Sequence, residues 1–151
     1  MGIESTIVDC RSDASVRILR PGKITQQHLI EELGAGCLEA AAGTPVRVSG
    51  ALPAHYAPQA QVILLAASEL GSWCESHARA ALPTLLITTA PPPREIPAGI
   101  NWYSVSTDTS QFAREMYALF RRADRESCQR IVVELPSVEG IGLALRDRLQ
   151  R

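Results

Sequence analysis

Four short stretches concentrate the side chains able to do chemistry. "GIESTIVD", residues 2–9, places Ser5 and Thr6 together ahead of a β-branched run, beside Gly2 and Glu4. Hydroxyls in such a place bond carboxylate or phosphate oxygens with help from backbone N–H groups, although they also serve as turn formers. "RILRPG", residues 17–22, ends in an arginine ahead of a forced turn. Arg20 there carries a planar fork of donors suited to phosphate or carboxylate, where the commoner role is a surface charge. "VSGALPAHYAPQA", residues 48–60, looks like a connector, yet it carries His55 and Tyr56 between prolines. In the fourth, "RIVVELPSVEGIG", residues 130–142, Glu134 ends an apolar run and a Gly-x-Gly follows. A carboxylate at a strand's C-terminal end stands where α/β ligands collect. The phosphate-loop signatures are incomplete, so those glycines read as close-packing residues of a βα loop.

The elements that position these residues fall into three regions: 1–40, 41–60 and 61–151. In the first, "STIVD" and "SVRILR" read as strands. Thr25 N-caps a helix through "QQHLIEEL", with Leu29, Ile30 and Leu33 on one face and Gly34 ending it. Two strands and a helix bury little by themselves, so this region reads as a piece of something larger. The second region carries Pro45, Pro53 and Pro58, which favour extended backbone and a semi-stiff strap. The third alternates: strand "QVILLA", a helix capped by Ser68, strand "PTLLITT", a proline-rich loop and strand "WYSVST". A helix capped by Asp108 or Thr109, strand "RIVVEL" and a last helix lined by Val138, Ile141, Leu145 and Leu149 follow. Phe112, Met116, Leu119 and Phe120 form one helical stripe. Apolar strands alternating with amphipathic helices predict a three-layer α/β domain with a mainly parallel, Rossmann-like sheet.

Composition bounds the function. The chain has 151 residues, net charge −1 and 46% hydrophobic residues, enough to bury a core without disulfides or a structural metal. Acidic and basic residues balance in both halves, which argues against an electrostatic nucleic-acid footprint and against direct tRNA binding. Lys23 is the only lysine, so a lysine-based phosphate clamp has little to draw on. Cys10, Cys37, Cys74 and Cys128 form no C-x-x-C pair and read as small apolar residues in a reducing cytoplasm. The three histidines are dispersed and suggest no metal site. No apolar run approaches the ~20 residues of a membrane span.

The order "GIESTIVD", "RILRPG", "VSGALPAHYAPQA" resembles the Sua5 type of the YrdC/Sua5 family, the L-threonylcarbamoyladenylate synthases. The third region is similar to that family's C-terminal Sua5 domain. The first then corresponds to the end of a YrdC-like α/β catalytic domain. The resemblance implies a nucleotidyltransferase that joins L-threonine, bicarbonate and ATP into threonylcarbamoyl-AMP and pyrophosphate, with magnesium as counter-ion. Downstream partner proteins would pass the threonylcarbamoyl group to tRNA. It also implies that Ser5 and Thr6 meet the threonine part, Arg20 the ATP phosphates and adenylate, and His55 and Tyr56 form a lid over the cleft. A lid suits this chemistry, because a carbamate and a mixed anhydride are both open to attack by water.

One departure matters. The family's K-x-R and S-x-N motifs do not occur in these residues, so the expectation is a C-terminal portion, inactive alone. The alternative is a non-catalytic α/β nucleotide-binding or regulatory module.

Overall fold

A computed structural model describes residues 5–12, 15–39, 57–77 and 82–150. The first elements are β1 (Ile7–Asp9) and β2 (Arg17–Arg20), an antiparallel pair with a register shift between Ile7 and Val8. Pro21 and Gly22 end β2, as a residue without an N–H and one without a side chain should. Helix α1 (Gln26–Leu33) starts at Thr25, whose side chain accepts the His28 N–H while the His28 ring accepts the Thr25 N–H. The expected stop is found at Gly34, at φ +89°. A 3₁₀ turn, Ala35–Cys37, leads Leu38 to bridge Val16 at the start of β2. None of the residues of α1 is buried, and Leu33 is 45% exposed. This region buries as little as two strands and a lone helix should.

Residues 57–150 build an α/β domain. Strands β3 (Gln61–Leu65), β4 (Thr84–Thr88), β5 (Ile100–Ser104) and β6 (Arg130–Glu134) form one parallel sheet in the order β3-β6-β4-β5. Helix α2 (Ala67–His77) sets Leu70 and Trp73 against Leu86 and Val132 on one face. On the other, α3 (Thr109–Arg125) and α4 (Gly142–Leu149) pack against Leu85, Ile87, Ile131 and Val133. The odd–even split along β4 and β6 is the period-two alternation of a pleated strand, here apolar on both sides. The layers are therefore helix, sheet, helix, as the alternation predicts. The α3 stripe of Phe112, Met116, Leu119 and Phe120 is wholly buried, each side chain contributing about 1.5–3 kcal/mol by leaving water.

Several boundaries differ from expectation. Ser68 does not cap α2. The helix begins at Ala67, and the Glu69 carboxylate takes the capping role by accepting the Ala66 N–H at 2.7 Å. Strand β5 starts at Ile100, two residues early, because its pairing to Thr84 begins there. Val138 is 56% exposed and precedes α4 rather than lining it. Although apolar enough for the middle of the sheet, β3 lies at its edge and is half-buried. The close-packing reading of the β6–α4 glycines holds at Gly142, where a Cβ would stand 1.8 Å from the Ser137 carbonyl oxygen.

Candidate functional site

The β1–β2 ribbon brings two of the sequence-selected groups together. Its register sets Ile7 opposite Arg20, which puts Ser5 beside the end of β2. The Arg20 guanidinium is buried, 7% exposed. Its Nε and Nη2 donate to the Ser5 carbonyl oxygen at 3.1 and 2.8 Å, and Nη2 donates to Ser5 Oγ at 3.2 Å. A guanidinium bonded to two acceptors on one residue is fixed in orientation, and low exposure strengthens its field on a nearby anion. The Thr6 hydroxyl points elsewhere and donates to the Ile24 carbonyl at 2.6 Å, tying the turn after Pro21 to the start of β1. Ser5 and Arg20 thus meet, with Thr6 bracing the loop that follows them. His55 and Tyr56 lie outside the described residues.

At the ribbon's other end, Asp9 accepts two hydrogen bonds from the Arg11 guanidinium, at 2.8 and 2.7 Å, and one from Arg17 at 3.3 Å. The Arg11 hydrogen bonds, with the charges of Arg11 and Arg17, hold the Asp9 carboxyl well below the usual carboxylate range. Ser15 and Glu39 bond across the same end.

A cleft of about 280 Å³ separates the β2–α1 turn from the β6–α4 loop. Ile18, Ile24 and Ile30 line one wall, and Val138, Leu143 and Ala144 the other. Sequence reasoning missed this cleft, because its walls come from segments more than a hundred residues apart.

Glu134 stands at the C-terminal end of β6, as expected, but its oxygens are engaged. They accept the Thr88 hydroxyl at 2.5 Å, the Thr89 N–H at 2.8 Å and the Thr89 hydroxyl at 3.1 Å. The carboxylate therefore ties the ends of β4 and β6 together. The paired threonines closing "PTLLITT" were the available signal for this role. Among the cysteines, burial pushes the Cys74 and Cys128 thiols up, away from the thiolate form. Among the described residues no group of three or more His, Cys, Asp or Glu side chains is placed to hold a metal ion. None of the described helices is long and apolar enough to cross a membrane.

Comparison with known proteins agrees with this architecture. The family model described as "Threonylcarbamoyl-AMP synthase, C-terminal domain" matches residues 24–151, a span that begins just after the Ser5–Arg20 cluster. A solved structure of P. abyssi Sua5, in a variant with neighbouring histidine and tyrosine replaced by alanine, superposes with a TM-score of 0.75 at 22% identity. It covers 99% of this chain and 44% of its own. P. abyssi Sua5 complexed with L-threonine gives a TM-score of 0.72 at 20% identity, covering 99% of this chain and 45% of its own. The chain thus spans less than half the length of these structures. No curated protein matches the sequence.

Proposed function

Because this chain belongs to the family of threonylcarbamoyl-AMP synthase C-terminal domains, we propose that it forms part of an L-threonylcarbamoyladenylate synthase. That enzyme makes threonylcarbamoyl-AMP and pyrophosphate from L-threonine, bicarbonate and ATP, in the cytoplasm, for tRNA modification. In the reaction a carbamate oxygen attacks the α-phosphorus of ATP and pyrophosphate leaves. The protein's contribution is positioning and charge stabilisation. Arg20 faces the phosphates, Ser5 and Thr6 border the threonine part, and His55 and Tyr56 belong to a strap that closes over the cleft. Residues 1–40 serve the catalytic domain, 41–60 the strap and 61–151 the Sua5 domain. Proteins acting downstream carry the threonylcarbamoyl group to tRNA. Magnesium would accompany ATP as counter-ion. Among the described residues no group of three or more His, Cys, Asp or Glu side chains is placed to hold that ion.

The observation that carries this reading is the buried Arg20 guanidinium bonded to Ser5, which joins two of the sequence motifs in one place. A complex of L-threonine with P. abyssi Sua5 supports the substrate. Since K-x-R and S-x-N are absent from the sequence, the isolated chain is expected to release no pyrophosphate from ATP, L-threonine and bicarbonate. Release should appear when a polypeptide bearing those motifs is supplied in trans, and should fall by at least tenfold with Arg20→Ala. A silent mixture, or one indifferent to Arg20, would refute the assignment.

A further inference from the structure

The two edges of the parallel sheet are finished differently. Along β5 the side chains are polar or occupied. Asn101 donates to Glu126 at 2.9 Å, Trp102 Nε1 and Ser104 Oγ donate to the Ala90 carbonyl, and the Arg122 guanidinium lies over the Tyr103 ring. Charged and polar groups of this kind keep a sheet edge from pairing with another chain. Strand β3 carries none of them. From Ala57 to Ser68 the sequence holds no charged residue, and Val62, Ile63, Leu64 and Leu65 are all half-buried. Val62 and Leu64 lean on the core under α3 and α4, Ile63 and Leu65 on the core under α2, so both faces of the strand are apolar. Its backbone is open on one side. The Gln61 N–H donates to the Gln129 carbonyl and the Leu65 carbonyl accepts from the Leu135 N–H, which aims the backbone groups of residues 61, 63 and 65 at β6. By the alternation of a strand, the N–H and C=O of Val62 and Leu64 point outward. Among the described residues no strand pairs with that side. The next outward N–H, on Ala66, is taken by the Glu69 carboxylate, so the open stretch ends where α2 begins.

We infer that the outer edge of β3 docks β3 of a second copy of this chain, antiparallel, across a two-fold axis at Ile63. The register follows from which groups face out. With Ile63 opposite its own copy, Val62 and Leu64 of the second copy exchange both N–H···O bonds, and the symmetric pair does the same. Ile63 then meets Ile63 in the closer, non-hydrogen-bonded kind of pair, where side chains touch most. An uncharged strand meets no like-charge repulsion when it lies against itself, which is the electrostatic condition for self-pairing. A foreign acidic or basic strand would find no counter-charge on it. The nearest carboxylates, Glu69 and Asp124, accept the N–H groups of Ala66 and Gln59, so both stand beyond the paired residues. The pairing is short, and the dimer it predicts is weak and reversible, of the class that buries less than about 1,200 Å². This inference rests on the α/β domain and not on the adenylate reading, so either can fail without the other.

Sedimentation velocity of the full chain is the test. Its weight-average mass should rise from one chain toward two between about 1 and 100 µM, as a small interface implies. Val62→Pro removes an outward N–H and no bond to β6, a setting in which an edge strand tolerates proline. It should weaken dimerisation by about tenfold or more, since each copy loses a donor, while the circular dichroism melt stays cooperative. A cross-link reads the register independently and decides the matter should Val62→Pro not fold. Ile63→Cys stands opposite itself and should give a covalent dimer under mild oxidation. Gln61→Cys, whose two copies lie about 14 Å apart along the strands, should give no more than the native chain with its exposed Cys10. A native chain that stays monomeric at the top of the range overturns the proposal. So does growth beyond two chains, an undiminished dimer in folded Val62→Pro, or Ile63→Cys cross-linking no faster than Gln61→Cys.

Discussion

The ribbon and helix of residues 5–39 and the α/β domain of residues 57–150 are built on different physics. In the first, the only buried described residues are Arg20 and Gly22, and order comes from polar bonds: Arg20 to Ser5, Thr6 to Ile24, Asp9 to two arginines. In the second, both faces of a parallel sheet are sealed by apolar clusters. The groups with the clearest chemical promise sit in the region least able to support itself. A site built that way depends on directional bonds to hold its geometry, since little hydrophobic burial is available to do so.

Truncating one side chain in each region tests that contrast most severely. Met116→Ala, at a position 1% exposed between α3 and the sheet, should cost about 2–5 kcal/mol in chemical denaturation. Leu33→Ala, at 45% exposure on α1, should change stability by no more than about 0.5 kcal/mol. Similar costs at the two sites would erase the distinction. A smaller effect is expected from Thr25→Ala, which removes the acceptor of the His28 N–H and should weaken α1 by about 1 kcal/mol. Faster amide exchange confined to the first turn of α1 is the signature, because the sheet does not rest on that cap.

The smallest effect concerns pH. Asp9 has its carboxyl lowered in the folded ribbon, whereas an unfolded aspartate titrates near about 3.9. Its stabilisation is thus fully present above that value and is lost as pH falls through the lowered folded value. Asp9→Asn should flatten the acid limb of the ribbon's stability, followed by exchange of the Arg17 and Ile18 amides. An unchanged acid limb would mean the Arg11 and Arg17 contacts contribute nothing.

Legibility in the sequence follows the same division. The α3 stripe was readable because its four large apolar residues repeat at the helical period and the core had to take them. The caps at Thr25, Gly34 and Asp108 were readable because capping is local chemistry. Ser68 misled because the helix already starts at Ala67, one residue ahead of it, where the Glu69 carboxylate reaches back to the Ala66 N–H. The edge position of β3 was not readable, since apolar composition does not report how many neighbours a strand has. Ser5 and Arg20 were selected by type and setting, but that the serine's carbonyl would share the guanidinium depends on strand register, which local sequence does not encode.

The link from β4 to β5 crosses between parallel neighbours without a helix, through residues 89–99, whose stretch from Thr89 to Ile96 is exposed throughout. Both ends are anchored: the Ala90 carbonyl accepts from Trp102 Nε1 and Ser104 Oγ, and the Ile100 N–H donates to Pro97. A segment clamped at its ends and free between them tolerates extra polypeptide at little energetic cost. The triple-proline stretch is therefore where a reporter peptide or a fluorescent tag can be grafted while leaving the sheet and both helical layers undisturbed.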